Sequence, residues 1–302
     1  MSDLQLPPSR FDGAVRLHST VHGFCAGIAR APISVLAACC VLVALIAFAT
    51  FAPLLVTHDW TQQSLLARLS APDGFGLQAV HILGTDYLGR DVYSRLLYAT
   101  RTTLVISGLG VCIGVLVGAT IGLISGIARG WIDNIIMLIV DANTAIPLTL
   151  LAMAAAAFLG SSPLMLVLVV GLADFGSYVR IVRAEVMSTN RRPFVEAARS
   201  LGASPVRVAA LHILPNLVSP IIVLATINFS HVVILESALS FLGVGVQPPS
   251  TSLGQMVGEG RNYLISHWWL AAIPAAVIVM ITMTISTLGD YLRDLLDPDQ
   301  TK

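Results

Sequence analysis

The chain has 302 residues, with 17 Lys and Arg balanced by 17 Asp and Glu, so no basic surface points to a nucleic-acid partner. Hydrophobic residues make up 56% and charged residues 11%, far below the roughly 25% charged residues of soluble domains. With a mean hydropathy of +0.82, the composition excludes an ordinary soluble enzyme and identifies an integral protein of a lipid bilayer.

Only helices and closed barrels satisfy backbone groups in lipid, and the apolar runs here are long rather than alternating, so an all-α fold is expected. Residues 31–57, 102–128, 142–173, 216–235 and 268–289 contain no Asp, Glu, Lys or Arg, and each is long enough for the ~30 Å hydrocarbon core. The third run is too long for one crossing. Gly160, Ser161, Ser162 and Pro163 divide it, because proline removes a donor and glycine frees the backbone. Six spans are predicted.

Residues 1–30 form a polar tail bearing Asp3 and Asp12. The first span, 31–57, exceeds the roughly 7–15 apolar residues of a signal peptide and is expected to remain as an anchor. Cys25, Cys39, Cys40 and Cys112 lack metal-ligand spacing and read as packing residues.

Residues 58–101 are expected to form a loop and elbow. His81, Asp86 and Asp91 raise the idea of a metal site. Local pairing of Asp86, Arg90, Asp91 and Arg95, in a tight turn with Gly84, Thr85 and Gly89, is the favoured alternative.

The core, 102–289, opens on Gly110, Gly114, Gly118, Gly122 and Gly126, a small-residue ridge for close helix packing within the chain or against a partner. Asp141 lies inside span three, ahead of Asn143 and Pro147. A charge at that depth costs roughly 2.5–3.5 kcal/mol, so it should face protein or water, and a pairing with Arg180 or Arg183 is expected. Asp174 is read as lining a pore or as paired. No succession of acidic residues and histidines crosses the spans, which argues against a proton relay.

Residues 184–215 interrupt the apolar pattern. Pro193 suits a first helical turn, Phe194, Ala198 and Leu201 share a face, and Gly202 fits a left-handed stop. Ser204 and Pro205 then begin a second short helix, which Pro215 is expected to end. The Glu196-Ala197-Ala198 trio reads as a docking surface, two methyl side chains allowing close approach while one carboxylate sets register, or else as part of a cap lying on the membrane with Arg side chains reaching the headgroups. Glu236 is expected to close span five, as a gate or partner contact. Residues 290–302 form the second tail.

Arginine distribution orients the chain. Arg180, Arg183, Arg191, Arg192, Arg199 and Arg207 lie between spans four and five, and Arg10, Arg16 and Arg30 precede span one. The loop between spans five and six holds only Arg261. By the positive-inside rule both termini and the 184–215 segment are cytoplasmic.

The segment "EAARSLGASPVRVAALHILPN" resembles the EAA loop of the membrane-spanning subunits of bacterial ABC importers, through Glu196, Ala197, Ala198, Gly202, Leu214 and Pro215. "HILGTDYLGRDVYSRLLYATRTTL", "ESALSFLGVGVQPP" and "LGDYLRDLLDP" are similar to signatures of the dipeptide, oligopeptide and nickel permeases of that family. The resemblance implies a type I importer permease fold in a bacterial cytoplasmic (inner) membrane. It further implies a second homologous permease, two ATP-binding subunits or one fused, and an extracytoplasmic substrate-binding protein. The expected cargo is a di- or oligopeptide, with a nickel chelate or glutathione as the alternative.

No G-K-[ST] phosphate loop is present, since the one lysine is Lys302. ATP and Mg are therefore expected on the partners, with no cofactor, metal or catalytic residue in this chain. A stand-alone secondary transporter would call for inverted repeats and intramembrane ion sites, and the halves show no such repeat.

Overall fold

Pro32, extended at ψ 155°, opens the first helix, α1 (Ile33–Thr50), an apolar anchor with no charged residue at either end. In the computed structural model, residues 31–74 and 80–296 are described. Expectations resting on residues 1–30, Cys25 among them, and on 297–302 lie outside them. The described chain is helical apart from loops and one isolated bridge between Thr85 and Asp91.

Helix α2 (Val92–Ala128) runs for 37 residues, about 55 Å at 1.5 Å per residue, so it extends well beyond a bilayer core. It begins at the Asp91 cap, whose carboxylate accepts from Ser94 N–H at 2.8 Å. The expected loop through residue 101 is thus corrected. Arg95 and Arg101 are helical, and an uncharged run marks lipid depth rather than helix length.

After Arg129 and Gly130, both at positive φ, the chain turns back into α3 (Gly130–Ala145) and α4 (Leu148–Leu159). These meet at a 90° bend, where Ile146 is held extended at ψ 124° by the following Pro147. The expected straight span from residue 142 is therefore a folded pair that begins at Gly130.

Gly160, at φ +76°, ends α4, and Ser162 caps α5 (Pro163–Ala173) through Met165 N–H at 3.1 Å. Helix α6 (Phe175–Thr189) follows after a break at Asp174. Helix α7 (Pro193–Ser200) closes with a double hydrogen-bonded turn: Gly202 N–H donates to Arg199 O at 2.9 Å and Ala203 N–H to Ala198 O at 3.1 Å. Gly202 stands at φ +85° to make it.

Ser204 caps α8 (Pro205–Val208). A π-helical turn (Ala209–Ile213) carries the chain straight into α9 (Leu214–Phe241). Pro215 therefore does not end a helix as expected; it lies inside the continuous helical run Pro205–Phe241, just after the π-helical turn. Helices α10 (Leu253–Gly260) and α11 (Trp269–Leu296) complete the fold, and α11 extends past the predicted tail boundary at residue 290.

Five helical runs are long and apolar enough to cross a membrane, and the bent α3–α4 pair makes a sixth. Helix α2 is central, packed along α5, α6 and α9, while α11 lies against α9, α10 and α1. The main apolar cluster joins Ile106, Leu166, Val170, Val232 and Leu239.

Candidate functional site

The polar segment between α6 and α9 is clamped to the bundle by its buried side. Val195, Val208, Ile213 and Leu217 form one cluster with Val182 and Val186 of α6, and Arg199 donates to Asn190 Oδ1 at 2.7 Å. The predicted face is corrected here. Val195 points inward, whereas Phe194 is 44% and Leu201 88% exposed. Val206 and Leu211 are exposed as well, so the outer surface of the segment mixes apolar side chains with exposed Glu196, Arg199 and Arg207.

Glu196, in the first turn of α7, is exposed beside exposed Ala197 and half-buried Ala198. It makes no ion pair among the described residues. Gly202, Leu214 and Pro215 are also exposed. An unpaired carboxylate thus stands among small and apolar side chains, with favourable placement of its charge at a helix N-terminus.

The glycine ridge connects this segment to the rest of the bundle. A methyl group at Gly122 would meet Val182 at 2.9 Å, one at Gly126 would meet Val186 at 2.7 Å, and one at Gly118 would meet the Phe175 carbonyl at 2.7 Å. Gly110 and Gly114 abut Val170, Gly171 and Tyr178. All five glycines therefore face α5 and α6 of the same chain.

Two arginines of α6 bind acidic residues of α3. Arg180 Nη2 donates to Asp141 Oδ1 at 3.1 Å and to Thr144 Oγ1 at 2.9 Å. Arg183 grips Asp133 with two bonds of 2.6 Å. The sequence reading did not single out Asp133, because it lies before the uncharged run that defined span three. Asp174 Oδ2 accepts from His231 Nδ1 at 2.7 Å, joining the α5–α6 break to α9.

At the opposite end of the bundle, Asp86 is the hub of a buried charge network. It accepts from Arg90 Nε at 2.6 Å and from Arg95. Glu259 of α10 takes the second bond of each arginine, at 3.1 and 2.9 Å, and Arg95 also reaches Thr251. Gly84 and Gly89, at φ +74° and +73°, form the tight turn, and Thr85 fastens Ser70 N–H at 2.9 Å. Burial, then the Glu259 charge, raises the nearby Tyr87 hydroxyl pKa above its ordinary value.

With Asp86 held by the two arginines, it does not face His81. The His81 Nδ1 lies 3.0 Å from Asp91 Oδ1, and His58 stacks near it at 4.7 Å between ring centroids. Asp91 is already committed to Ser94 N–H through its other oxygen.

Glu236 does not close its helix, which continues to Phe241. It is fully buried and accepts from Ser240 at 2.8 Å and Thr103 at 3.1 Å. Thr103 in turn takes Leu253 N–H at 3.2 Å. The expected gate residue thus joins α2, α9 and α10 from inside the chain.

The family described as binding-protein-dependent transport system inner membrane component matches residues 118–302. The Di/tripeptide transport system permease protein DppC of Pseudomonas aeruginosa is 38% identical over 251 residues, 83% of each chain. The Probable D,D-dipeptide transport system permease protein DdpC of Escherichia coli is 36% identical over 258 residues, 85% of each. The Glutathione transport system permease protein GsiD of Pectobacterium atrosepticum is 36% identical over 254 residues, 84% of this chain and 83% of its own. Among solved structures, an inward facing conformation of the MetNI methionine ABC transporter matches 67% of this chain and 96% of its own, with TM-score 0.52 and 17% identity. That likeness is one of fold.

Proposed function

Because the chain belongs to the family of binding-protein-dependent transport system inner membrane components, multi-pass permeases of ABC transporters with ATPase partners, we propose that it carries di- or oligopeptides inward. The peptide cargo follows from the dipeptide permeases that align with most of the chain. Glutathione is the second reading, favoured by the similarity to GsiD.

The observation that carries the coupling role is the exposed, unpaired Glu196-Ala197-Ala198 surface on a clamped helical turn. In this reading it faces the cytoplasm and seats in an ATP-binding subunit. Two such subunits, a second homologous permease and an extracytoplasmic binding protein complete the assembly. The elbow at Asp86 faces outward, and both termini lie inside, in line with the arginine distribution.

Closure of the ATPase pair displaces the 193–215 segment. Val195, Val208 and Ile213 transmit that displacement to Val182 and Val186, which rest on Gly122 and Gly126. Helix α6 then shifts along α2, and the helical run Pro205–Phe241 moves with it. Work enters because ATP binds the closed partners better than the open ones, so it biases two states of the bundle. The peptide crosses between the paired permeases along a wet interface.

Reconstitution in liposomes with candidate permease, ATPase and binding-protein partners tests the reading. ATP-dependent accumulation of labelled dipeptide, abolished by omitting the ATPases, is expected. Uptake that persists without any ATPase overturns it, and competition by a panel of peptides and glutathione sets the cargo.

A further inference from the structure

Asp174 and His231 form a polar contact deep inside the membrane-spanning part of the chain. Asp174 sits near the middle of the 27-residue run Pro163–Thr189, and His231 lies within the run Pro205–Phe241. The backbone breaks at Asp174, with φ −104° and ψ 7°, and its carboxylate does not cap the helix it precedes. It turns instead to His231 across 2.7 Å.

The pair is not sealed. The His231 side chain is 60% and that of Asp174 22% exposed, on the stripe of α9 that also exposes Ile227 and Ile234. A carboxylate facing hydrocarbon at this depth is costly. The pair must therefore face water or protein, with exposed Ile227 and Ile234 flanking it along α9.

Its free valences define what it takes. Among the described residues nothing else hydrogen-bonds to the Asp174 carboxylate, which retains Oδ1, or to His231 Nε2. An anionic acceptor thus stands beside an imidazole ring that, with Nδ1–H given to Asp174, donates from Nε2 as the imidazolium. A free peptide amino terminus has the complementary order, an ammonium two bonds from the first carbonyl carbon.

We propose that Asp174 and His231 form a substrate contact in the translocation path, which receives the α-ammonium of a passing peptide on the carboxylate and its first carbonyl on the Nε2–H of the imidazolium. The proposal rests on the peptide-permease reading. It adds a specificity-determining pair inside this chain, downstream of any selection by a binding protein.

The test uses the full transporter in liposomes, supplied with a labelled dipeptide. Asp174→Asn should lower uptake about tenfold and His231→Gln several-fold, while both variants still co-purify with the ATPase subunits. The decisive variant carries Asp174→Leu with His231→Leu. An apolar pair of this kind satisfies helix packing without charge, so a purely structural role predicts uptake restored to the wild-type level, and that result overturns the proposal. Continued loss of uptake supports it.

A second measurement needs no variant. A dipeptide with a photoreactive amino-terminal side chain, trapped in the wild-type complex by a non-hydrolysing ATPase, should label residues around Asp174 and His231. Labelling confined elsewhere, or cross-linking of His231 to a side chain of the partner permease in the same state, overturns the proposal. Failure of the wild-type complex to take up any peptide would instead defeat the permease reading itself.

Discussion

The two ends of the bundle handle charge in opposite ways. In the elbow, buried Asp86, Arg90 and Arg95 and part-buried Glu259 are tied to one another. In the 193–215 segment, Glu196 is exposed and makes no ion pair among the described residues. A buried network fixes one arrangement, because removing any member strands its partners. An exposed lone charge on a clamped turn does the reverse, leaving its interaction energy available to another protein.

Substitutions can break or sharpen that contrast. The largest effect on the fold is expected from Asp86→Ala, which leaves two buried arginines with Glu259 alone and should cost about 3–5 kcal/mol. Thermal unfolding in detergent would measure it, and a melting temperature unchanged from wild type would refute the hub. Gly118→Val comes next. It forces a side chain against the Phe175 carbonyl at 2.7 Å and should cost about 1–3 kcal/mol from overpacking, read by the same assay.

Gly202→Ala should follow, at about 1–2 kcal/mol, because φ +85° is left-handed and open space offers no relief from backbone strain. Its damage should be local, seen as faster proteolysis of the 193–215 segment. Glu196→Arg should change the fold by no more than about 0.5 kcal/mol while losing co-purification with the ATPases. If the variant retains both coupling and association, the docking surface lies elsewhere. Asp141→Leu removes a half-exposed pair worth at most about 1 kcal/mol; full uptake by this variant would show that the Arg180 contact has no part in transport.

The same contrast explains what was legible in the sequence. Caps and stops are local, so Pro193, Gly202, Ser204 and Pro205 disclosed the helix–turn–helix of the 193–215 segment. Asp86 and Arg90 were visible because they stand four residues apart in one glycine-bearing turn. Glu259 was not, since its partnership spans 164 residues or more and no nearby spacing encodes it. The start of α2 was missed because Arg95 reads as a loop charge until Asp86 and Glu259 are seen to neutralise it. The bend at Ile146 was overlooked because the absence of charge across residues 142–159 was given more weight than Pro147. Glu236 looked terminal until four hydroxyl-bearing neighbours, Thr103, Ser237, Ser240 and Ser252, were found around it.

The π-helical turn at Ala209–Ile213 sets an angular phase. It accommodates one residue more than an α-helical turn would, and each residue advances the helix by about 100°. The direction in which the coupling segment faces, relative to His231 on the far side of that turn, is therefore encoded in a single extra residue. Deleting Ala210 would leave both surfaces chemically intact and aim one of them about a quarter turn away from its target.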